Sequence, residues 1–216
     1  MSDELSRILD DASRGRFPAP DGRITVVGQP SARDAGVVAF TAHAVVFTDE
    51  DPGWVREQVA SAPSDPLSAP MNPVFLAALL ARTGRWMSTI DQLAVAGALP
   101  GAPEIPLREI DDPAHPRVAW ALAHRDEVRV WAADGGVVML GRGVAGRWEC
   151  AIELDERARG RGLGAVLARA ARQLVPGDAV WAQIAPGNAR SVRAFRSAGF
   201  VPVGSEALFS VSRRPE

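Results

Sequence analysis

The apolar positions Leu5, Ile8 and Leu9 recur at helical spacing and predict a short N-terminal helix. Residues 17–22 (Phe-Pro-Ala-Pro-Asp-Gly) break that pattern and read as a linker. A strand is predicted over 23–28. Ser31, Ala32, Arg33 and Asp34 suit a cap, turn or short helix, and 37–48 reads as one long apolar strand. Asp51 and Pro52 ahead of Trp54 mark a helix start. The Pro- and Ser-rich stretch 61–73 is a loop, 74–82 a helix ended by Gly84, and 85–96 contains a strand. Pro100, Gly101, Ala102, Pro103 and Pro106 make a second break, which sets a boundary near residue 103. The expected parts are a helix and linker over 1–22, a smaller α/β region over 23–103, and a second domain over 104–216.

The second half is more sharply patterned. Pro116 opens a helix that continues through 117–124. Residues 127–133 alternate charged and apolar as a half-buried strand does, and Asp134, Gly135 and Gly136 turn the chain into a second strand over 137–140. A third strand follows over 148–154. Helix 164–174, strand 179–185, helix 188–198 and strand character over 200–211 complete the chain. This order predicts an α/β fold with a mixed central sheet and flanking helices.

The composition removes several chemistries. The 216 residues carry 24 Lys+Arg and 26 Asp+Glu, for a formal charge of −2. Every basic residue among those 24 is arginine, and tyrosine is absent. A Schiff-base lysine, a phosphate-loop lysine and a tyrosine acid are therefore excluded. A hydrophobic share of 47% with 23% charged residues suits a packed protein. Near-neutral charge argues against a dedicated nucleic-acid binder. The single cysteine, Cys150, excludes an internal disulfide and a cysteine-cluster metal site. The N-terminus has no signal-type apolar stretch and no run is long enough to span a membrane, so a cytoplasmic location without a membrane partner is expected.

Arg159, Gly160, Arg161, Gly162, Leu163 and Gly164 follow a predicted strand and open a predicted helix. The first N–H groups of a helix lack internal partners, and the dipole there favours negative charge. Glycines let the backbone approach a diphosphate closely, and arginines add charge. The pattern lacks the Lys-Ser/Thr pair of a nucleoside-triphosphate loop, and its glycine spacing is not the dinucleotide fingerprint. Alone, it fits a tight strand-to-helix turn equally well.

After the next strand come Asn188, Ser191, Phe195, Gly199 and Phe200. Together with the glycine segment, this stretch resembles the GNAT superfamily of acetyl-CoA-dependent N-acetyltransferases. Arg159, Gly162 and Gly164 match its pyrophosphate loop. Asn188, Gly199 and Phe200 match its later helix motif. The resemblance covers roughly 105–212. The first half looks at best like a degenerate GNAT-like half or a substrate-side domain.

The resemblance implies a set of roles. The strand at 148–154 would carry a bulge and diverge from the next strand, so that Ile152, Glu153 and Leu154 pair with the pantetheine arm of acetyl-CoA. A backbone N–H there would stabilise the developing oxyanion. Backbone amides of Arg159, Gly160, Arg161, Gly162, Leu163 and Gly164 would hold the diphosphate. Asn188 would bond the pantetheine arm, and Ser191 and Phe195 would line the cofactor side of the last helix. The family's tyrosine acid falls at Phe195, which cannot donate a proton. Ser191, water, or unaided departure of a thiolate of pKa near 8.5 could replace it.

Proton removal from the attacking amine needs a base. Glu149 and Glu153 are four apart and share a strand face unless a bulge intervenes. Each also reads as an ordinary strand carboxylate. His115 and His124 suit surface or capping positions, and His43 suits a satisfied core histidine. Cys150 reads as a core residue. The six tryptophans read as core or interface packing, with Trp148 a candidate pocket wall. Asp126, Glu127 and Glu206 are acidic candidates for holding an ammonium group.

The expected activity is direct acetyl transfer from acetyl-CoA to a primary amine of a small molecule or peptide, in a ternary complex. A catalytically weak acyl-CoA-binding sensor is the alternative. A third reading places the specific activity in the first half. No metal, nucleic acid or membrane is expected, and a homodimer is compatible with the sequence.

Overall fold

The computed structural model describes residues 3–112 and 114–211, and the side chains of Asp3, Arg117 and Trp120 lie outside that description. In chain order the first elements are α1 (Asp3–Ser13), β1 (Arg23–Val27), β2 (Ala35–Phe40), β3 (His43–Phe47), α2 (Pro52–Ser61), α3 (Pro73–Thr83) and β4 (Ile90–Ala96). They are followed by β5 (Arg108–Ile110), α4 (Pro116–His124), β6 (Asp126–Ala133), β7 (Gly136–Arg142) and β8 (Trp148–Leu154). The last are α5 (Leu163–Leu174), β9 (Val180–Ile184), α6 (Ala189–Ser197) and β10 (Val201–Phe209).

Two compact units result. One holds the chain up to Gln92 and again from Val203, and the other is Leu93–Pro202. This division differs from the boundary expected near residue 103, because β10 pairs antiparallel with β2, from Ser205↔Ala39 to Phe209↔Ala35. The C-terminal strand thus belongs to the first unit.

In the first unit the strand order is β1-β3-β2-β10. The stretch expected as one strand over 37–48 is a hairpin. β2 and β3 pair from Gly36↔Phe47 to Phe40↔His43, and Ala42 takes the left-handed conformation (φ 54°) that reverses the chain. Asp51 caps α2 by accepting from the Trp54 N–H, and Asn72 caps α3 by accepting from the Val74 N–H. Gly84 ends α3 in the left-handed region, donating its N–H to the Leu80 carbonyl. The core joins Val37, Val46, Val55, Phe75, Leu79 and Phe209. His43 bridges Asp21 and Thr25 at 2.9 Å on each ring nitrogen, as a satisfied histidine does.

In the second unit the order is β4-β9-β8-β7-β6-β5. β7 and β8 pair antiparallel from Gly136↔Leu154 to Arg142↔Trp148 with no shift of register. The bulge expected in β8 is therefore not in its pairing with β7. A register shift occurs instead in β6, between Asp126 and Arg129, where Glu127 has φ 48°. Alternation along β8 separates two cores. Cys150, Ile152 and Leu154 face α5 and α6 with Leu167, Ala171, Phe195 and Phe200, while Ala151 faces α4 with Val118, Ala121, Val130 and Met139. No helix among the described residues is long and apolar enough to cross a membrane.

Candidate functional site

β8 and β9 are parallel neighbours, but their ladder consists of Trp148↔Val180 and Glu149↔Trp181. Beyond Glu149 the two strands part, and the β9-facing edge of β8 opens onto a cavity of about 610 Å³. Ile152, Glu153 and Leu154 form one wall, Arg159, Gly160, Gly162 and Gly164 the floor, and Asn188, Ser191, Arg193 and Ser197 the wall opposite. The strand edge, the glycine turn and the start of α6 thus meet in one place.

The glycines do different work. Gly162 is the N-cap of α5 with φ 86°, and no side chain caps the helix there. Its Cβ position is open, so the constraint is conformational, and the first amides of α5 face space that an anion can fill. A Cβ on Gly164 would meet the Ala194 Cβ at 3.3 Å, so this glycine lets α5 and α6 pack closely.

Asn188 caps α6, its Oδ1 accepting from the Ser191 N–H at 3.1 Å, which leaves its amide nitrogen as a donor. Ser191 is half-buried on the cavity wall. Phe195 does not line the cavity. Its ring is 4% exposed and packs edge-on against Phe200 at 5.0 Å, because at helical spacing it falls on the inward face of α6. Arg161 and Leu163 border a separate depression of about 430 Å³ with Asp134, Gly135, Arg157 and Ala158.

The two strand carboxylates have opposite environments. Glu153 lines the cavity. Glu149 is fully enclosed, accepting from Arg147 Nε at 2.8 Å, Arg125 Nε at 3.1 Å and the Val144 N–H at 3.2 Å. Burial alone would push its carboxyl up, but the Arg147 and Arg125 guanidiniums outweigh it and hold the group below the usual carboxylate range. Glu149 is therefore a structural anion rather than a proton acceptor. Gly143 is required beside it, since any Cβ there would run into the Glu149 carboxylate.

Cys150 is buried and its thiol is pushed up to about 12, chiefly by desolvation, which fits an inert core residue. His115 stands just before α4, where its carbonyl accepts from the Ala119 N–H, and His124 ends that helix. Neither borders the cavity. Trp148 lines another hollow of about 260 Å³, with Arg142 stacked 4.2 Å over its ring. Asp126 and Glu127 are exposed at the start of β6, and Glu206 is buried in the first unit.

Sequence reasoning missed Arg190, Arg193 and Ser197. Their signal is positional: counted from the Asn188 cap, 190, 193, 194 and 197 recur on one helical face. Arg125 and Arg147 carried no comparable signal.

The family model for the acetyltransferase (GNAT) family matches residues 102–200. Among solved structures, a GNAT-family protein from Novosphingobium aromaticivorans is 19% identical, with a TM-score of 0.43, over 60% of this chain and 69% of its own. A GCN5-related N-acetyltransferase from Kribbella flavida is 13% identical, with a TM-score of 0.44, over 97% of this chain and 95% of its own. No curated protein matches the chain significantly. The similarity to the GNAT acetyltransferase family thus lies in residues 102–200, just under half of the chain.

Proposed function

We propose that the protein is an N-acetyltransferase that moves an acetyl group from acetyl-CoA to a primary amine by direct transfer in a ternary complex. The carrying observation is that the open edge of β8 runs into the uncapped start of α5 within one cavity. When bound, acetyl-CoA supplies an activated acetyl thioester. The first amides of α5 and the Arg159 guanidinium suit its diphosphate. The backbone of Ile152, Glu153 and Leu154 suits the amide-bearing pantetheine arm, as an added strand would. Asn188 offers its free amide nitrogen to the same arm.

Glu153 is the carboxylate placed to take a proton from the incoming ammonium, directly or through water. Ser191 is the hydroxyl on the opposite wall that can donate toward the departing sulfur. Holding both reactants in one cleft supplies the entropic part of the rate enhancement.

A second reading, a weak acyl-CoA-binding sensor, draws on the position of Phe195, whose phenyl ring stands in the core and offers no proton. Incubation with acetyl-CoA and a panel of primary amines separates the two. Thiol release well above the amine-free blank supports transfer. Saturable acetyl-CoA binding without amine-dependent thiol release would replace transfer by the sensor.

A further inference from the structure

We infer that Arg190 and Arg193 form a dedicated subsite for a phosphomonoester, the 3′-phosphate of coenzyme A, and so make the protein selective for CoA over its 3′-dephospho form. The inference rests on the CoA reading above and deepens it.

Three guanidiniums, those of Arg159, Arg190 and Arg193, line the cavity beside one carboxylate, that of Glu153. None of the three arginine side chains is engaged by an ion pair or hydrogen bond among the described residues. Several other arginines of this unit are paired. Arg129 is held by Glu109 at 2.8 Å, Arg147 by Glu149 at 2.8 Å, and Arg142 by Asp178 at 3.4 Å. Positive charge is therefore left uncompensated in the cavity.

That charge sits in two places. Arg159 belongs to the turn that leads into α5, beside the exposed amides of the helix start. These groups together match a diphosphate, whose oxygens accept from backbone N–H groups and one guanidinium. Arg190 and Arg193 belong to the other wall, on α6. Three residues apart on a helix, they are neighbours on one face and can close on a single anion. A phosphomonoester carries about two negative charges at neutral pH, which two guanidiniums match. A diphosphate alone leaves the α6 pair without a counter-charge. A ligand with a second, separate phosphate centre accounts for both walls.

Calorimetric titration of the full chain with CoA and with 3′-dephospho-CoA at fixed ionic strength tests this. The wild type is expected to bind CoA about 10-fold or more tightly than 3′-dephospho-CoA. The double variant Arg190→Ala/Arg193→Ala is expected to bring that ratio to about one, with 3′-dephospho-CoA affinity changed by no more than about twofold. Both arginines are exposed, so the variant should fold, and circular dichroism checks that it does. Equal wild-type affinity for the two ligands would overturn the subsite while leaving the CoA reading intact. Discrimination that survives in the double variant would overturn the assignment to α6. Failure of the wild type to bind either ligand would overturn the CoA reading itself.

Discussion

The Arg147 guanidinium meets the Glu149 carboxylate at 2.8 Å in a site where both side chains are 4% exposed. Arg125 closes the other side of the same carboxylate. Removing one member of a buried ionic group leaves charge without compensation. Glu149→Gln is expected to cost about 3–5 kcal/mol of stability, read by urea denaturation. The depressed folded pKa gives the sign with pH. The contribution is present above the unfolded glutamate value near 4.3 and is lost as pH falls through the lower folded value. The variant should therefore lose acid-dependent stability in that window.

Gly162 and Gly164 are expected to fail differently. Gly162→Val places a β-branched residue at φ 86°, where an L-residue pays about 1–2 kcal/mol, and crowds the helix start. Acetyl-CoA affinity should fall about 10-fold or more. Gly164→Val instead forces α5 away from Ala194 and should cost about 1–3 kcal/mol of stability, by thermal denaturation.

Ser191→Ala tests the hydroxyl facing the cavity. Turnover should fall about 10-fold or more while acetyl-CoA affinity stays within about threefold, from steady-state rates and calorimetry. An unaltered rate would leave water or unaided thiolate departure.

Asp91 gives a pH effect of opposite sign. Burial, and then the neighbouring Glu206 charge, raise its carboxyl to about 6. A raised folded pKa means that stability present below the unfolded value near 3.9 is lost as pH rises through about 6. Asp91→Asn should raise the melting temperature at pH 7.5 more than at pH 4.

Much of the second unit was legible because its signals are local. The glycine turn, the Asn188 cap and the alternation along β8 each declare themselves within a few residues. What escaped depends on partners far away in sequence. Val37 pairs with Ala207, a relationship that no local pattern encodes, and it moves the C-terminal strand into the first unit. Glu149 and Glu153 look equivalent at period two, yet Glu149 is enclosed by Arg125, just past α4, and Arg147, while Glu153 lines the cavity. Phe195 occupies the motif's tyrosine position, but an unsubstituted phenyl ring has no polar end to keep it at the cavity. It settles instead against Phe200.

Amide hydrogen exchange with and without saturating acetyl-CoA reads the central claim most directly. Exchange at 152–154 and 163–165 should slow markedly, as the strand edge and the helix start acquire partners. Unchanged exchange at both segments, with binding demonstrated in the same sample, would contradict the cavity as the acetyl-CoA site.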